Sequence, residues 1–182
     1  MSSTRLLILG VVMLKQPIHG YDVRRELETW RAAQWANVAY GSIYFALNKL
    51  ADEGLIEAAG TDRAGNRPVR TSYTITETGR HEFHRLLRDA WWEPKPLIDP
   101  FQVALTFMNQ LPRDELLAAL RYRAARLQAA IEALSATDNW PVESEHVPRH
   151  IQENLRLSTA HMRAEHGWLD QAVHKVERGE LP

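Results

Sequence analysis

GSIYFALNKLADEGLIEAAGTDRAGNRPVRTSYTITETGR, from Gly41 to Arg80, changes its period twice. Its first part sets Ile43, Leu47 and Leu50 on one face at helical spacing, directly after Ser42, a residue type that caps helices. Gly54 then offers the conformation on which helices commonly end. Two short runs follow, Leu55 to Ala59 and Thr71 to Thr76, the second rich in Thr, Tyr and Ile, on either side of the turn-forming stretch DRAGNRP. The spacing predicts a helix and then a β-hairpin. Its tip is basic, because Arg63, Arg67 and Arg70 fall within eight residues whose one neighbouring acid is Asp62.

Upstream, Thr4 to Leu14 has the apolar density of a buried helix, with Leu6, Leu9, Val12 and Met13 in one stripe and Gln16-Pro17 as its stop. After a short loop through His19-Gly20, Tyr21 to Trp30 reads as a second helix with Val23, Leu27 and Trp30 inward and Arg24, Arg25, Glu26 and Glu28 outward. Downstream, a fourth helix from Glu77 to Trp92 groups Phe83, Leu86, Leu87 and Trp91, and Pro94 and Pro96 end it. The prolines mark a linker, giving domains of residues 1–92 and 97–182.

The distal half opens with Asp99-Pro100, a capping residue and a first-turn proline, before FQVALTFM. Pro112 starts a further helix, with Leu116, Leu120, Leu127, Ile131 and Leu134 along one stripe, and a polar break at Ala136 to Ser144 follows. The last helix keeps a 4,3 spacing through Ile151, Leu155, Ser158, Met162, Glu165, Leu169, Ala172 and Val176. One isolated helix could not bury such a seam, so Ile151, Leu155, Met162, Leu169 and Val176 are read as a dimerisation surface. The fold class is mainly α with a small β-hairpin.

Composition narrows the function classes. With 182 residues, 45% hydrophobic and 25% charged, the chain is long enough for one sizeable core or two small ones, and order is expected over most of it. The absence of cysteine removes disulfides, thiolate zinc sites and thiol redox sensing. Thr4 to Leu14 is too short for a membrane span and lacks the flanks of a signal peptide, so a cytoplasmic location is expected. Net charge is −1, yet residues 1–90 carry 12 Lys/Arg against 10 Asp/Glu and residues 91–182 carry 10 against 13. That asymmetry is mild; the clustering of the arginines matters more.

Three helices followed by a two-stranded hairpin is the order of a winged helix-turn-helix, in which the third helix enters a major groove of double-stranded DNA and the hairpin tip reaches the flanking backbone. Gly41-Ser42 supplies a small turn for close approach, and Ser42, Tyr44, Asn48 and Lys49 supply donors and charge for the groove. Arg63, Arg67 and Arg70 supply a wing.

The His19-Gly20-Tyr21 start of the second helix, GSIYFALNKLADEGLI at Gly41 to Ile56 and YTITETGR at Tyr73 to Arg80 resemble the PadR family of bacterial transcriptional regulators. The likeness covers nearly all of residues 5–90, and the helical tail is similar to that of the larger members, whose C-terminal helices dimerise. The resemblance implies a homodimer on a pseudo-palindromic operator, commonly a repressor released by a ligand or stress signal, with Tyr21, Ser42 and Tyr44 near the DNA. Phe45 stands where the family frequently has proline, and is read as keeping the helix regular while altering the packing under it and with that the register of base contacts.

Competing readings attach to several residues. His19 can donate to a phosphate, or cap its helix or fill the loop before it. Trp91 and Trp92 serve either as core or dimer anchors or as the lining of a pocket for a small aromatic effector. His146, His150 and Glu143 have a metal-like spacing that Pro148 interrupts, and His161, Glu165 and His166 read as satisfied polar groups near Trp168, so neither a metal nor another cofactor is expected. Neither a nucleophile motif, a phosphate-binding glycine loop nor HExxH occurs, which argues against an enzyme. A winged-helix adaptor that binds protein and not DNA is the alternative class, although a basic wing fits it poorly.

Overall fold

A computed structural model of the chain describes residues 3–36, 38–62, 70–96, 98–135 and 148–182. The chain divides into two compact units, Met1–Lys95 and Pro96–Pro182.

In the first unit α1 (Ser3–Lys15) supplies Ile8, Leu9, Val11 and Val12 to a core that also takes Val23 and Leu27 from α2 (Gly20–Thr29) and Ile43, Leu47 and Leu50 from α3 (Ile43–Asp52). Each of these side chains is essentially removed from water, a gain of about 1.5–3 kcal/mol apiece for the larger ones. Trp30 closes the inner face of α2, as its spacing predicts. Gly54, at φ 69°, ends α3.

The small sheet has three strands in the order β1-β3-β2, all antiparallel. Strand β2 (Ile56–Asp62) and β3 (Arg70–Ile75) form the expected hairpin, paired from Ile56 opposite Ile75 to Asp62 opposite Arg70 with a bulge between Ala58 and Gly60. The stretch around His19, expected as loop, contributes β1 (Ile18–His19), which pairs Ile18 with Tyr73 and His19 with Ser72. Two residues carry no readable period; what makes them a strand is the free edge of β3, a partner distant in sequence. Gln16 reinforces the junction, its Oε1 accepting from the Ile75 N–H at 3.0 Å.

Helix α4 (Glu77–Trp92) spans the residues its sequence predicts. Its first turn is locked into the sheet by Thr76, expected as the last strand residue but serving as the helix cap. The Gly79 N–H donates to Thr76 Oγ1 at 3.0 Å, and that hydroxyl donates to the Gly54 carbonyl at 2.8 Å. A Cβ on Gly79 would lie 1.9 Å from the Leu55 carbonyl oxygen, so only glycine permits this approach. Leu86 is buried and Phe83 and Leu87 half-buried, but Trp91, expected on the same inner side, is 78% exposed and Trp92 is 81% exposed. The helix has left its core by then: beyond Leu87 only Asp89 is even half-buried.

The second unit contains α5 (Pro100–Thr106), α6 (Arg113–Ser135) and α7 (Arg149–Glu177). Asp99 caps α5, its Oδ1 accepting from the Phe101 N–H at 2.9 Å, with Pro100 in the first turn. Helices α6 and α7 run antiparallel, since Arg113 donates to the Val176 and Glu177 carbonyls while Arg163 donates to Ser135 Oγ. Between them Leu116, Leu120 and Ala124 interlock with Leu169, Ala172 and Val176. Leu169 and Val176, expected on a dimerisation surface, are therefore wholly buried inside one chain and leave nothing for a partner to cover. The polar break at Ala136 to Ser144 lies outside the described residues, as do Glu143 and His146.

Candidate nucleic-acid interface

Helix α3 buries Ile43, Leu47 and Leu50 and so must present the opposite face outward. On one flank, toward α2, stands Tyr44, half exposed at 49%. Its ring lies against the start of α2 so closely that a Cβ on Gly20 would sit 2.9 Å from Cε1. Tyr21, in the first turn of α2, is exposed as well, and the two tyrosines share an open cleft of about 450 Å³. His19, Gly20, Asp22, Arg25, Thr71 and Tyr73 complete its wall. Hydroxyls, an imidazole and a guanidinium thus converge from β1, α2, α3 and β3 around one carboxylate, Asp22, which Arg25 holds; the remaining donors suit an anion such as a backbone phosphate.

The cations of α2 are not idle. Arg25 pairs with Asp22 at 2.9 Å and lies 5.9 Å from the Tyr21 ring centroid. Arg24 bonds Glu28 at 2.7 Å, which raises the guanidinium above its already high ordinary pKa. His19 precedes α2 without capping it, and its Nδ1 is buried with no partner among the described residues, so the capping reading is set aside.

Ser42 departs from its expected role. It closes a 3-10 turn, Tyr40–Ser42, in helical conformation, and makes no cap; its hydroxyl donates to the Ala39 carbonyl at 2.8 Å. That bond uses its single proton, leaving acceptor capacity only. Ser42 and Lys49 line a second, smaller hollow of about 240 Å³ together with Phe45, Thr4 and Arg5. Asn48 is exposed between the two flanks. The structure therefore brings Tyr21 and Tyr44 together on one side of α3 and Ser42 and Lys49 on the other.

Phe45 does not pack beneath the helix. It points away from the core at 74% exposure, the most exposed large apolar side chain of the helix. The period that puts Ile43 inward places a residue two positions on nearly opposite, so the same spacing that found the core could have found Phe45. Arg25, Thr71 and Tyr73 were missed because they reach the cleft from other elements. Arg63 and Arg67 lie outside the described residues, and Arg70 opens β3.

On α7, Ile151 is buried, and Leu155 and Met162 are half-buried. Glu165 is bound to Arg123, and His166 Nδ1 lies 3.2 Å from Asp170, so the polar cluster around His161 splits between separate partners. Among the described residues no group of three His, Cys, Asp or Glu could hold a metal ion, and no helix is long and apolar enough to cross a membrane.

Comparison with known proteins agrees with this architecture. Residues 8–85 match the model of the transcriptional regulator PadR-like family. The negative transcriptional regulator PadR of Bacillus subtilis strain 168 is 28% identical over 130 residues, covering 71% of this chain and 70% of that protein. The crystal structure of Bacillus subtilis PadR in complex with operator DNA superposes with a TM-score of 0.76 at 22% identity, over 94% of this chain and 98% of that one. The same protein in complex with p-coumaric acid superposes with a TM-score of 0.73 at 21% identity, over 95% and 98%. Those two likenesses establish the fold, and over residues 8–85 the chain is similar to the transcriptional regulator PadR-like family.

Proposed function

We propose that the chain is a sequence-specific DNA-binding transcriptional regulator, a cytoplasmic binding protein and not an enzyme, that acts as a homodimeric repressor and is released by an effector. The observation that carries this reading is the outer face of α3, where Asn48 and Lys49 are exposed between the cleft shared by Tyr21 and Tyr44 on one flank and Ser42 on the other. Seated in a major groove, Asn48 offers the paired donor and acceptor that match adenine, and Lys49 a donor for guanine or phosphate. Tyr21 and Tyr44 donate to the flanking phosphates, Ser42 approaches on the other flank, and Arg63, Arg67 and Arg70 follow the adjacent backbone. Because net charge is −1, affinity arises from these local donors and not from a general attraction to polyanions. The repressor assignment follows the likeness to a negative regulator.

Dimerisation is assigned to the face of α7 that carries Leu155 and Met162, because Ile151, Leu169 and Val176 are buried within the chain. The exposed Trp91 and Trp92 are assigned to a small aromatic effector, in keeping with the aromatic acid bound by the Bacillus subtilis protein. Binding to duplex DNA measured across salt concentration tests the whole reading. Affinity should fall steeply, with a log-log slope of about −0.9 per phosphate contacted, and Arg67→Ala should make the slope shallower by about two units in a dimer. Affinity indifferent to salt, or none at all, would replace the DNA reading with the adaptor one.

A further inference from the structure

Phe45 is costly where it stands. A phenylalanine 74% exposed on the outer face of α3 keeps most of its ring in water, flanked by the exposed Asn48 and Lys49 one turn along. Nothing in the packing of the first unit requires it, since Ile43, Leu47 and Leu50 already close that side of the core. An aromatic ring has no hydrogen bond to give to a phosphate, nor to the donor and acceptor edges that fill a major groove. The groove presents one strongly apolar feature, the 5-methyl group of thymine.

Resting on the DNA-binding reading above, we infer that Phe45 is a specificity-determining residue that covers a thymine 5-methyl group in each half-site. Its ring removes the methyl from water while Asn48 and Lys49, three and four residues on, engage the neighbouring base edges or phosphates. Burial of one methyl against the ring is worth about a fourfold difference in affinity per half-site between thymine and its demethylated analogue. The thymine requirement belongs to Phe45 and not to the polar residues beside it.

The test starts from a randomised duplex pool selected separately with the wild-type chain of 182 residues and with Phe45→Ala. The wild type should enrich thymine at one position of each half-site, and Phe45→Ala should lose that preference while keeping the rest of the repeat. Replacing that thymine with deoxyuridine, which removes the methyl alone, should then weaken the wild type about fourfold per half-site and leave Phe45→Ala unchanged. Phe45→Leu, which keeps apolar bulk, should retain the methyl dependence. Equal affinity of the wild type for thymine and uracil duplexes overturns the inference without any variant. So does a Phe45→Ala loss that is the same on both duplexes, which signifies a ring wedged between base steps. In either case the enriched repeat leaves DNA binding standing, whereas no enrichment by the wild type overturns DNA binding and the inference with it.

Discussion

Helices α3 and α7 are both amphipathic, and their faces have opposite fates. The inner face of α3 is closed by its own unit, and what remains outward is Tyr44, Phe45, Asn48 and Lys49, a face with no apolar stripe to cover. The regular seam of α7 is closed by α6 through Leu169, Ala172 and Val176, while Leu157 stays exposed and Leu155 and Met162 are half covered. A seam states that a helix needs a partner; it does not say whether the partner is in the same chain. What α3 leaves over reports function more directly, because donors and an aromatic ring kept in water serve no packing in their own unit.

The difference is sharpest in how much each unit tolerates. Gly79→Ala places a Cβ at 1.9 Å from the Leu55 carbonyl oxygen, a backbone atom that accepts from the Thr76 N–H at 3.1 Å and cannot rotate away. It should destabilise the first unit by about 3 kcal/mol or more, read as lost denaturant resistance of the α1 to α4 unit. A stable Gly79→Ala protein would show that this corner is looser than its hydrogen bonds suggest.

Within the second unit, Leu169→Ala should cost about 2–5 kcal/mol, because the side chain is fully buried between α6 and α7. Met162→Glu should act differently, converting the protein to a monomer in sedimentation and abolishing any rise of the melting temperature with protein concentration. A wild-type melting temperature that is already independent of concentration would break the homodimer proposal and leave α7 as intrachain core alone.

Legibility followed the range of the interactions. Helix α4 could be bounded from Glu77 to Trp92 because its start and stop are signalled by adjacent residues, threonine-glutamate before and prolines after. Strand β1 could not, since Ile18 and His19 become a strand only by pairing with Tyr73 and Ser72. Trp91 shared the period of Leu86 and Leu87, but period cannot say where the supporting core ends. The cleft was half legible: Tyr21 and Tyr44 carry donor chemistry at exposed positions, whereas Thr71 and Tyr73 join them only through the order of the strands.

Two hydroxyls give the finest form of the comparison, since a serine and a threonine each stand before a helix and only one of them caps it. Thr76 Oγ1 accepts from the Gly79 N–H and donates to the Gly54 carbonyl, so Thr76→Ala frees a helix N–H and a carbonyl together and should cost about 1–2 kcal/mol. Ser42 leaves the N–H groups of α3 uncapped and bonds back to Ala39, on an exposed turn where water replaces the lost partner. Ser42→Ala should therefore change stability by no more than about 0.5 kcal/mol. Paired urea titrations of the two variants decide the matter. Equal losses would mean that Ser42 turns to cap α3 in solution, which would free the Ala39 carbonyl and release the hydroxyl proton now bound to it, making Ser42 a donor for a phosphate.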